Sequence, residues 1–199
     1  MPVTLEQLLE SRDNRVQHQK DLLGAYPGKS LLCLTVQLPG AEKRNDQSLA
    51  IAKAGVEAVR KAFVTEYEEL RDLETGYEAY FIVPMPPQDA KRLTCRIEDT
   101  HPLGRLMDID VIHEARPVVE NYFSGRDPKN QFSTTSTEPT HVEAIGRADI
   151  GLEPRRCLLC GNEVRYCMRA KTHTTAELLK RIEQMLKEYE LQAPNPRTD

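Results

Sequence analysis

The chain has no tryptophan and no long run of apolar residues. A bilayer crossing needs about 20 consecutive apolar residues, and a secretory signal needs a basic region followed by an apolar stretch. Residues 1–6, Met-Pro-Val-Thr-Leu-Glu, show neither pattern. These absences argue against a signal peptide and a membrane span, and they predict a cytoplasmic location with no membrane partner.

An excess of positive charge is absent too. The formal net charge is −4, so we expect no overall attraction to nucleic acid and predict no nucleic-acid partner. Of the 199 residues, 39% are hydrophobic and 29% are charged, as is typical of one globular domain. We predict a single domain over residues 1–192 and a disordered, proline-containing tail over residues 193–199.

Cysteines are few and unevenly distributed. There are five, an odd number, and three of them lie between Cys157 and Cys167. In a reducing compartment disulfides are not expected. Cys33 and Cys95 stand among apolar residues, which predicts that they are small buried side chains. The three clustered cysteines need another explanation.

Three segments carry the apolar spacing of amphipathic helices. The first begins with a capping box at Thr4 and ends near Gly24, and the second covers residues 49–63. The third begins with a capping box at Thr174 and continues to Tyr189. A capping box satisfies backbone N–H groups at the start of a helix, so it marks that boundary.

Other segments are predicted as strands. They cover residues 31–38, 77–83, 91–98 and 107–111, with a further strand over residues 117–120. Strands mixed with a few helices, without strict alternation, predict an α+β fold. We expect a mixed or mostly antiparallel sheet flanked by about three helices.

Residues 121–147 follow neither period. A run of serine and threonine at residues 133–137 lies between Pro128 and Pro139, and such composition favours a loop. We predict a loop insertion, which is either a lid or a plain surface excursion.

Two aspartates separated by one residue are the most informative feature of the chain. On a strand, residues two apart share a face, so Asp108 and Asp110 would project together while Met107, Ile109 and Val111 enter a core. Neighbouring carboxylates repel each other unless a cation lies between them. Mg²⁺ is the cation that fits, and it commonly accompanies a phosphate substrate. The alternative is that the pair forms the solvated face of a half-exposed strand.

Residues near the aspartates in the sequence also have the chemistry expected of a phosphate-binding site. Gly104 allows close approach of the backbone to a ligand or a positive φ, and the guanidinium of Arg105 matches phosphate oxygens. Glu98, on the polar face of the preceding predicted strand, is a candidate third carboxylate.

The clustered cysteines have the spacing of metal ligands. Cys157, Cys160, Cys167 and His173 form a Cys₃His set suited to tetrahedral Zn²⁺. The alternative is that the thiols pack in a core while the neighbouring arginines bind phosphate directly.

A basic cluster surrounds the cysteines in an otherwise acidic chain. It comprises Arg155, Arg156, Arg165, Arg169 and Lys171. A concentrated positive patch suits a polyanionic small molecule or an acidic protein partner, and the alternative is a solvated basic face.

Three blocks of the sequence together resemble the CitX family. They are His-Pro-Leu-Gly-Arg-Leu-Met-Asp-Ile-Asp-Val at residues 101–111, Pro-Arg-Arg-Cys-Leu-Leu-Cys at residues 154–160 and Cys-Met-Arg-Ala-Lys-Thr-His at residues 167–173. The N-terminal helix and the strand that ends at Pro39-Gly40 are also similar to that family, so the resemblance covers nearly the whole chain. The family usually joins the first two blocks by a short connection, which residues 121–147 lengthen here.

CitX proteins are apo-citrate lyase phosphoribosyl-dephospho-CoA transferases. The resemblance implies a nucleotidyltransferase-like fold and the donor 2′-(5″-triphosphoribosyl)-3′-dephospho-CoA. The acceptor would be a serine on the acyl-carrier (gamma) subunit of citrate lyase, and pyrophosphate would be released. Asp108 and Asp110 would hold Mg²⁺ at the α-phosphate and Arg105 would grip the phosphates. Glu98 would be a further ligand or the base that takes the serine proton.

The remaining motif residues are expected to bind substrate. His101 and Gly104 would border the phosphate site, and the cluster of Arg155, Arg156, Arg169 and Lys171 would hold pyrophosphate or the acidic carrier. Two other functions compete with the transferase. One is a zinc-stabilised module that docks an acidic carrier protein without catalysis, and the other is a hydrolase that attacks the same triphosphate with water.

Overall fold

Alternating apolar residues build a sheet with helices on both faces, as seen in a computed structural model that describes residues 2–115 and 141–192. The elements are α1 (Leu5–Ala25), β1 (Ser30–Val36), α2 (Asp46–Ala62), β2 (Tyr67–Leu73), β3 (Gly76–Val83), α3 (Pro87–Thr100), a 3-10 turn (Gly104–Leu106), β4 (Met107–Glu114), β5 (Val142–Ile145), a second 3-10 turn (Ala148–Ile150), α4 (Val164–Ala170) and α5 (Thr175–Gln192).

The five strands lie in the order β2-β3-β1-β4-β5, and every neighbouring pair is antiparallel. β1 is central, with β3 on one side and β4 on the other. This arrangement confirms the α+β class and the mostly antiparallel sheet. None of the helices in residues 2–115 and 141–192 combines the length and apolar character that a bilayer crossing requires.

The two faces of the sheet bury different helices. Along β1, Leu32 and Leu34 enter the main core, which also receives buried residues of α2, α3 and α5. Leu31 and Cys33 point the opposite way and pack with Leu22 and Leu23 of α1. The period of two along a strand thus divides the apolar residues between two cores.

Both predicted capping boxes are present. Thr4 and Gln7 exchange hydrogen bonds at the start of α1, and Thr174 and Glu177 do so at the start of α5. The three predicted helices correspond to α1, α2 and α5. In the part of the chain that the structure describes, α3 and α4 bring the number of α-helices to five.

The prediction of a strand over residues 91–98 is wrong, because this segment belongs to α3. Alternation of Leu93, Cys95 and Ile97 gave the period of a strand. The buried face of α3 instead includes the polar residues Lys91, Thr94 and Glu98 at helical spacing, and polar side chains do not register as a buried stripe. Pro87 at the first turn is typical of a helix start.

Strands β2 and β5 were not predicted. β2 lies at an edge of the sheet and has the sequence Tyr-Glu-Glu-Leu-Arg-Asp-Leu, whose charges hide the strand pattern. β5, Val142–Ile145, falls inside the segment 121–147 predicted as a loop, so these four residues correct that boundary. The predicted strand over residues 117–120 and the tail over residues 193–199 lie outside the described residues.

Candidate active site

Asp108 and Asp110 lie on the same face of β4, as predicted. In the register with β1, Asp108 is opposite Thr35 and Asp110 is opposite Cys33. Met107, Ile109 and Val111 are fully buried on the other face. The strand therefore presents two carboxylates on the side of the sheet that α1 partly covers.

The two carboxylates have different surroundings. Asp108 accepts hydrogen bonds from Gln37 Nε2 at 2.9 Å and from Arg155 Nη1 at 3.2 Å, one on each oxygen. Asp110 is exposed, and its carboxylate has no hydrogen bond or ion pair within residues 2–115 and 141–192. The pKa of Asp110 is raised, first by desolvation and then by the charge of Asp108. A cation at this pair would relieve that repulsion, and carboxylate oxygens are the donors that Mg²⁺ prefers, so the pair fits the predicted ion.

Three charged side chains bond the backbone of β4 at Met107 and Ile109, the residues next to Asp108 in the sequence. Glu98 Oε1 accepts from the N–H of Ile109 at 2.9 Å, and Lys91 Nζ donates to the carbonyl of the same residue at 3.2 Å. Arg155 Nη2 donates to the carbonyl of Met107 at 2.6 Å. α3 and the segment before α4 thus hold the strand that presents the aspartates.

Glu98 lies in α3 and is buried, with 2% of its side chain exposed. Its second oxygen is 3.4 Å from Arg147 Nη1 and 3.9 Å from Arg155 Nε. Burial raises the pKa of this carboxyl group, and Arg155 opposes the shift. Its role as a third metal ligand or a base stays a prediction; its contacts favour holding β4 in position.

Arg155 lies beside Asp108, and Arg105 lies near Arg155. Arg105, in the 3-10 turn, donates to the carbonyl of Arg156 and forms no ion pair with a carboxylate among the described residues. The pKa of Arg105 is lowered, first by burial and then by the charge of Arg155. Two guanidinium groups held near each other attract an anion, so the geometry is compatible with phosphate binding.

Gly104 supports this turn by close packing. A Cβ at this position would lie 2.5 Å from the carbonyl oxygen of Ile97 and 2.6 Å from that of Glu98. Gly104 is not among the residues with positive φ. The described structure therefore accounts for the glycine by the approach of the turn to α3, and a contact with phosphate stays a prediction.

His101 lies between the end of α3 and the 3-10 turn. Its ring packs against Tyr189 of α5, with centroids 5.4 Å apart, and its Nδ1 accepts from the N–H of Leu103. Burial and then the charge of Lys61 lower the pKa of His101, whereas Glu57 raises it. The ring contact joins the end of α3 to α5; substrate binding by His101 stays a prediction.

The lowered pKa of His101 makes the free energy of unfolding depend on pH. Because the folded state lowers the pKa of His101 below 6.5, the unfolded chain binds more protons as pH falls through 6.5. The free energy of unfolding is therefore expected to decrease there, and His101→Asn should lack this part of the decrease. Urea unfolding of both proteins on either side of that pH checks it; parallel pH profiles would contradict it.

The cysteine cluster assembles as predicted. The ligand atoms of Cys157, Cys160, Cys167 and His173 all lie within 4.8 Å of one another. Cys160 Sγ is 3.5 Å from Cys167 Sγ and 3.4 Å from His173 Nε2. Desolvation raises the pKa of Cys157, but backbone N–H groups and neighbouring thiols outweigh it and bring that pKa to about 7. A Cys₃His metal-binding arrangement is thus present.

The remaining basic residues are spread around this cluster. Arg156 donates from its side chain to the carbonyl of Gly161 at 3.1 Å. Arg169 and Lys171 are exposed at the end of α4. The structure thus brings Arg155 to Asp108, bonds Arg105 to the backbone next to Arg155, and leaves Arg169 and Lys171 on the surface.

Three residues that contact Asp108, the backbone of β4 or Glu98 were not predicted. Gln37 binds Asp108, Lys91 binds the backbone of Ile109, and Arg147 binds Glu98 and Asp99. Each comes from a segment with no motif, and only the folded sheet brings them together. Lys91 had one signal, a charged residue at helical spacing from Glu98, which the strand prediction concealed.

Comparison with known proteins gives consistent results. A family model described as apo-citrate lyase phosphoribosyl-dephospho-CoA transferase, CitX, matches residues 3–123 and 137–189. A protein of Streptococcus pyogenes named probable apo-citrate lyase phosphoribosyl-dephospho-CoA transferase is 31% identical over 94% of this chain and 87% of its own. The transferase of Shigella boydii with the same name, without "probable", is 31% identical over 94% of this chain and 91% of its own. Protein CitXG of Haemophilus influenzae is 28% identical over 94% of this chain, which spans 36% of that longer protein.

Proposed function

Because the chain belongs to the CitX family, we propose that it attaches the prosthetic group of citrate lyase. It transfers the 2′-(5″-phosphoribosyl)-3′-dephospho-CoA group from the triphosphate precursor to a serine of the acyl-carrier (gamma) subunit. The observation that carries this proposal at the level of atoms is the pair Asp108 and Asp110 on one face of β4, with Arg155 bonded to Asp108 and Arg105 bonded to the backbone next to Arg155.

The transfer is a displacement at phosphorus. The serine oxygen attacks the α-phosphorus, the bond from that phosphorus to the pyrophosphate oxygen breaks, and the serine loses its proton. The products are a phosphodiester on the carrier and pyrophosphate. Charge builds up on the oxygens around phosphorus during such a step, so fixed cationic groups lower its barrier.

Asp108 and Asp110 are the residues that would hold Mg²⁺. When bound, the ion would supply positive charge at the phosphate oxygens. Arg105 would bind phosphate oxygens with its free N–H groups, and Arg155 would orient Asp108 while it contacts the same anion. Gln37 fixes the other oxygen of Asp108, which leaves Asp110 as the carboxylate with the fewest competing partners.

The proton of the attacking serine requires an acceptor. Glu98 is the carboxyl group predicted for this role, and its raised pKa would suit proton transfer. Both of its oxygens contact N–H groups of Ile109 and Arg147, so we assign it first to positioning β4. His101 and Gly104 are proposed as neighbours of the phosphate site, and Arg156, Arg169 and Lys171 as contacts for pyrophosphate or the carrier.

A mass-shift assay tests the function. The purified chain is incubated with apo-carrier, the triphosphate donor and Mg²⁺, and we expect the carrier mass to increase by the prosthetic group while pyrophosphate is released. Carrier binding without a mass shift would favour the protein-binding module. Release of pyrophosphate without carrier modification would identify a hydrolase.

We propose Zn²⁺ as the ion for the Cys₃His arrangement, since three thiols and an imidazole form a tetrahedral set for this metal. Purified protein is expected to contain about one zinc per chain. Elemental analysis after extensive dialysis checks this, and a content well below one equivalent would contradict it.

The five cysteines are free, which suits a reducing compartment, and we propose that the reaction takes place in the cytoplasm.

A further inference from the structure

The segment that carries Arg155 is a short loop closed at its base. We call residues 155–164 the cysteine loop. Val164 donates to the carbonyl of Arg155 at 2.9 Å, Cys157 donates to that of Asn162 at 2.7 Å, and Arg156 pairs with Glu163 as an isolated β-bridge. Because Arg155 forms one end of this base, its position depends on where the loop lies.

Arg155 reaches from the loop into the candidate active site. Its side chain is 17% exposed, and it bonds Asp108 and the carbonyl of Met107. Its Nε is buried and has no hydrogen-bond partner in the described structure; the nearest carboxylate oxygen, of Glu98, is 3.9 Å away. The guanidinium is therefore placed between two carboxylates by the loop, without a full set of hydrogen bonds of its own.

Apolar packing gives the cysteine loop little support. Leu158 is partly buried and packs against the main core, while Cys157, Leu159 and Cys160 are only half-buried. The helix that follows, α4, is seven residues long and exposes Tyr166 and Met168. A loop of this kind needs a cross-link to keep one position.

The four metal-ligating residues supply that cross-link. Cys157 and Cys160 lie in the loop, Cys167 lies in α4, and His173 precedes α5. α5 is anchored in the main core by Ile182, Met185 and Leu186. One ion bound by all four residues would tie the loop to the helix that is fixed in the core.

From these contacts we propose that the metal bound by the Cys₃His residues positions Arg155 for the triphosphate of the donor, and so controls donor binding. The inference rests on the proposed transferase function and adds a metal requirement distinct from Mg²⁺. Arg155 is the group that touches phosphate, and the four ligands are positioning residues. Loss of the zinc would release the loop and weaken the donor site.

The test compares Cys160→Ser with Cys95→Ala, a cysteine buried outside the cluster. We expect Cys160→Ser to lose its zinc and to bind both the donor and magnesium pyrophosphate about 10-fold more weakly or worse. Cys95→Ala should keep its zinc and both affinities. Circular dichroism establishes that each variant is folded, and removal of zinc from the wild-type chain by a chelator, followed by its return, gives the same comparison without a substitution.

A double variant distinguishes an effect of the metal on the position of Arg155 from an unrelated disturbance of the fold. Arg155→Lys keeps the charge beside Asp108 but loses the planar fork, so donor affinity should fall. If the metal acts through Arg155, adding Cys160→Ser to Arg155→Lys should cost much less than Cys160→Ser alone. Full additivity would overturn the inference.

Two further results have distinct meanings. Unchanged affinity for donor and pyrophosphate in zinc-free protein would overturn the metal requirement, while transfer to the carrier would still support the proposed function. Failure of the wild-type chain to modify the carrier would refute the proposed function; zinc-dependent binding of pyrophosphate would then still support the positioning of Arg155.

Discussion

Asp110→Asn is expected to reduce transfer of the prosthetic group by at least about 10²-fold, the loss typical when one stabilising group is removed from a charged transition state. Asparagine has the shape of aspartate but no negative charge, so it holds Mg²⁺ poorly. Asp110 has no hydrogen bond or ion pair among the described residues, so the substitution removes the charge and little else. The rate of the carrier's mass shift at saturating donor and Mg²⁺ measures the effect.

The same substitution should not weaken the fold. Because the pKa of Asp110 is raised, the charged form costs stability at neutral pH, and the free energy of unfolding is expected to stay equal or rise in Asp110→Asn. Asp108→Asn should lose activity as well, but it also alters the contacts with Arg155 and Gln37. Asp13→Asn, at an exposed position of α1, is the matched control and should retain wild-type turnover. Wild-type turnover of Asp110→Asn in Mg²⁺ would refute the metal role.

Gly104→Ala is expected to lower the free energy of unfolding by about 3 kcal/mol, the upper end of the usual cost of overpacking. The added methyl group would meet the carbonyl oxygens of Ile97 and Glu98 at 2.5 and 2.6 Å. Both are backbone atoms at the end of α3, so neither can rotate away. The turn carrying Arg105 must separate from α3, and transfer activity should decrease with stability.

Denaturant unfolding of Gly104→Ala and Gly24→Ala gives the comparison. Gly24 lies in α1, and a Cβ there meets nothing within 4 Å, so alanine should be neutral or stabilising by up to about 1 kcal/mol. A Gly104→Ala protein as stable as the wild type would show that the turn does not pack against α3 as described.

The parts of the fold that sequence predicts well are those with local signals. The capping boxes at Thr4 and Thr174 fixed the starts of two helices, and alternation around Ile109 placed both aspartates on one face of β4. These features depend on a few neighbouring residues, so a single sequence contains them. The four metal-ligating residues were also found by spacing, and they do converge.

The contacts that arrange the site depend on the whole fold and were not predicted. Glu98 was placed on a strand, but α3 carries it to the edge of β4, where it binds the backbone of Ile109. Gln37 and Arg155 reach Asp108 across 71 and 47 positions of sequence. Hydrogen bonds between residues so far apart leave no periodic pattern, so motif and spacing cannot indicate them.

In the first half of β4, on the edge that faces β5, side chains bond the backbone groups that no strand pairs with. β5 pairs with residues Val111 to Glu114 only. Beside Met107 and Ile109, backbone groups bond instead to Glu98, Lys91 and Arg155. An unpaired strand edge is a template on which another chain can add a strand, and charged side chains prevent this. Two copies of the chain therefore have little tendency to pair edge to edge along this part of β4 and aggregate.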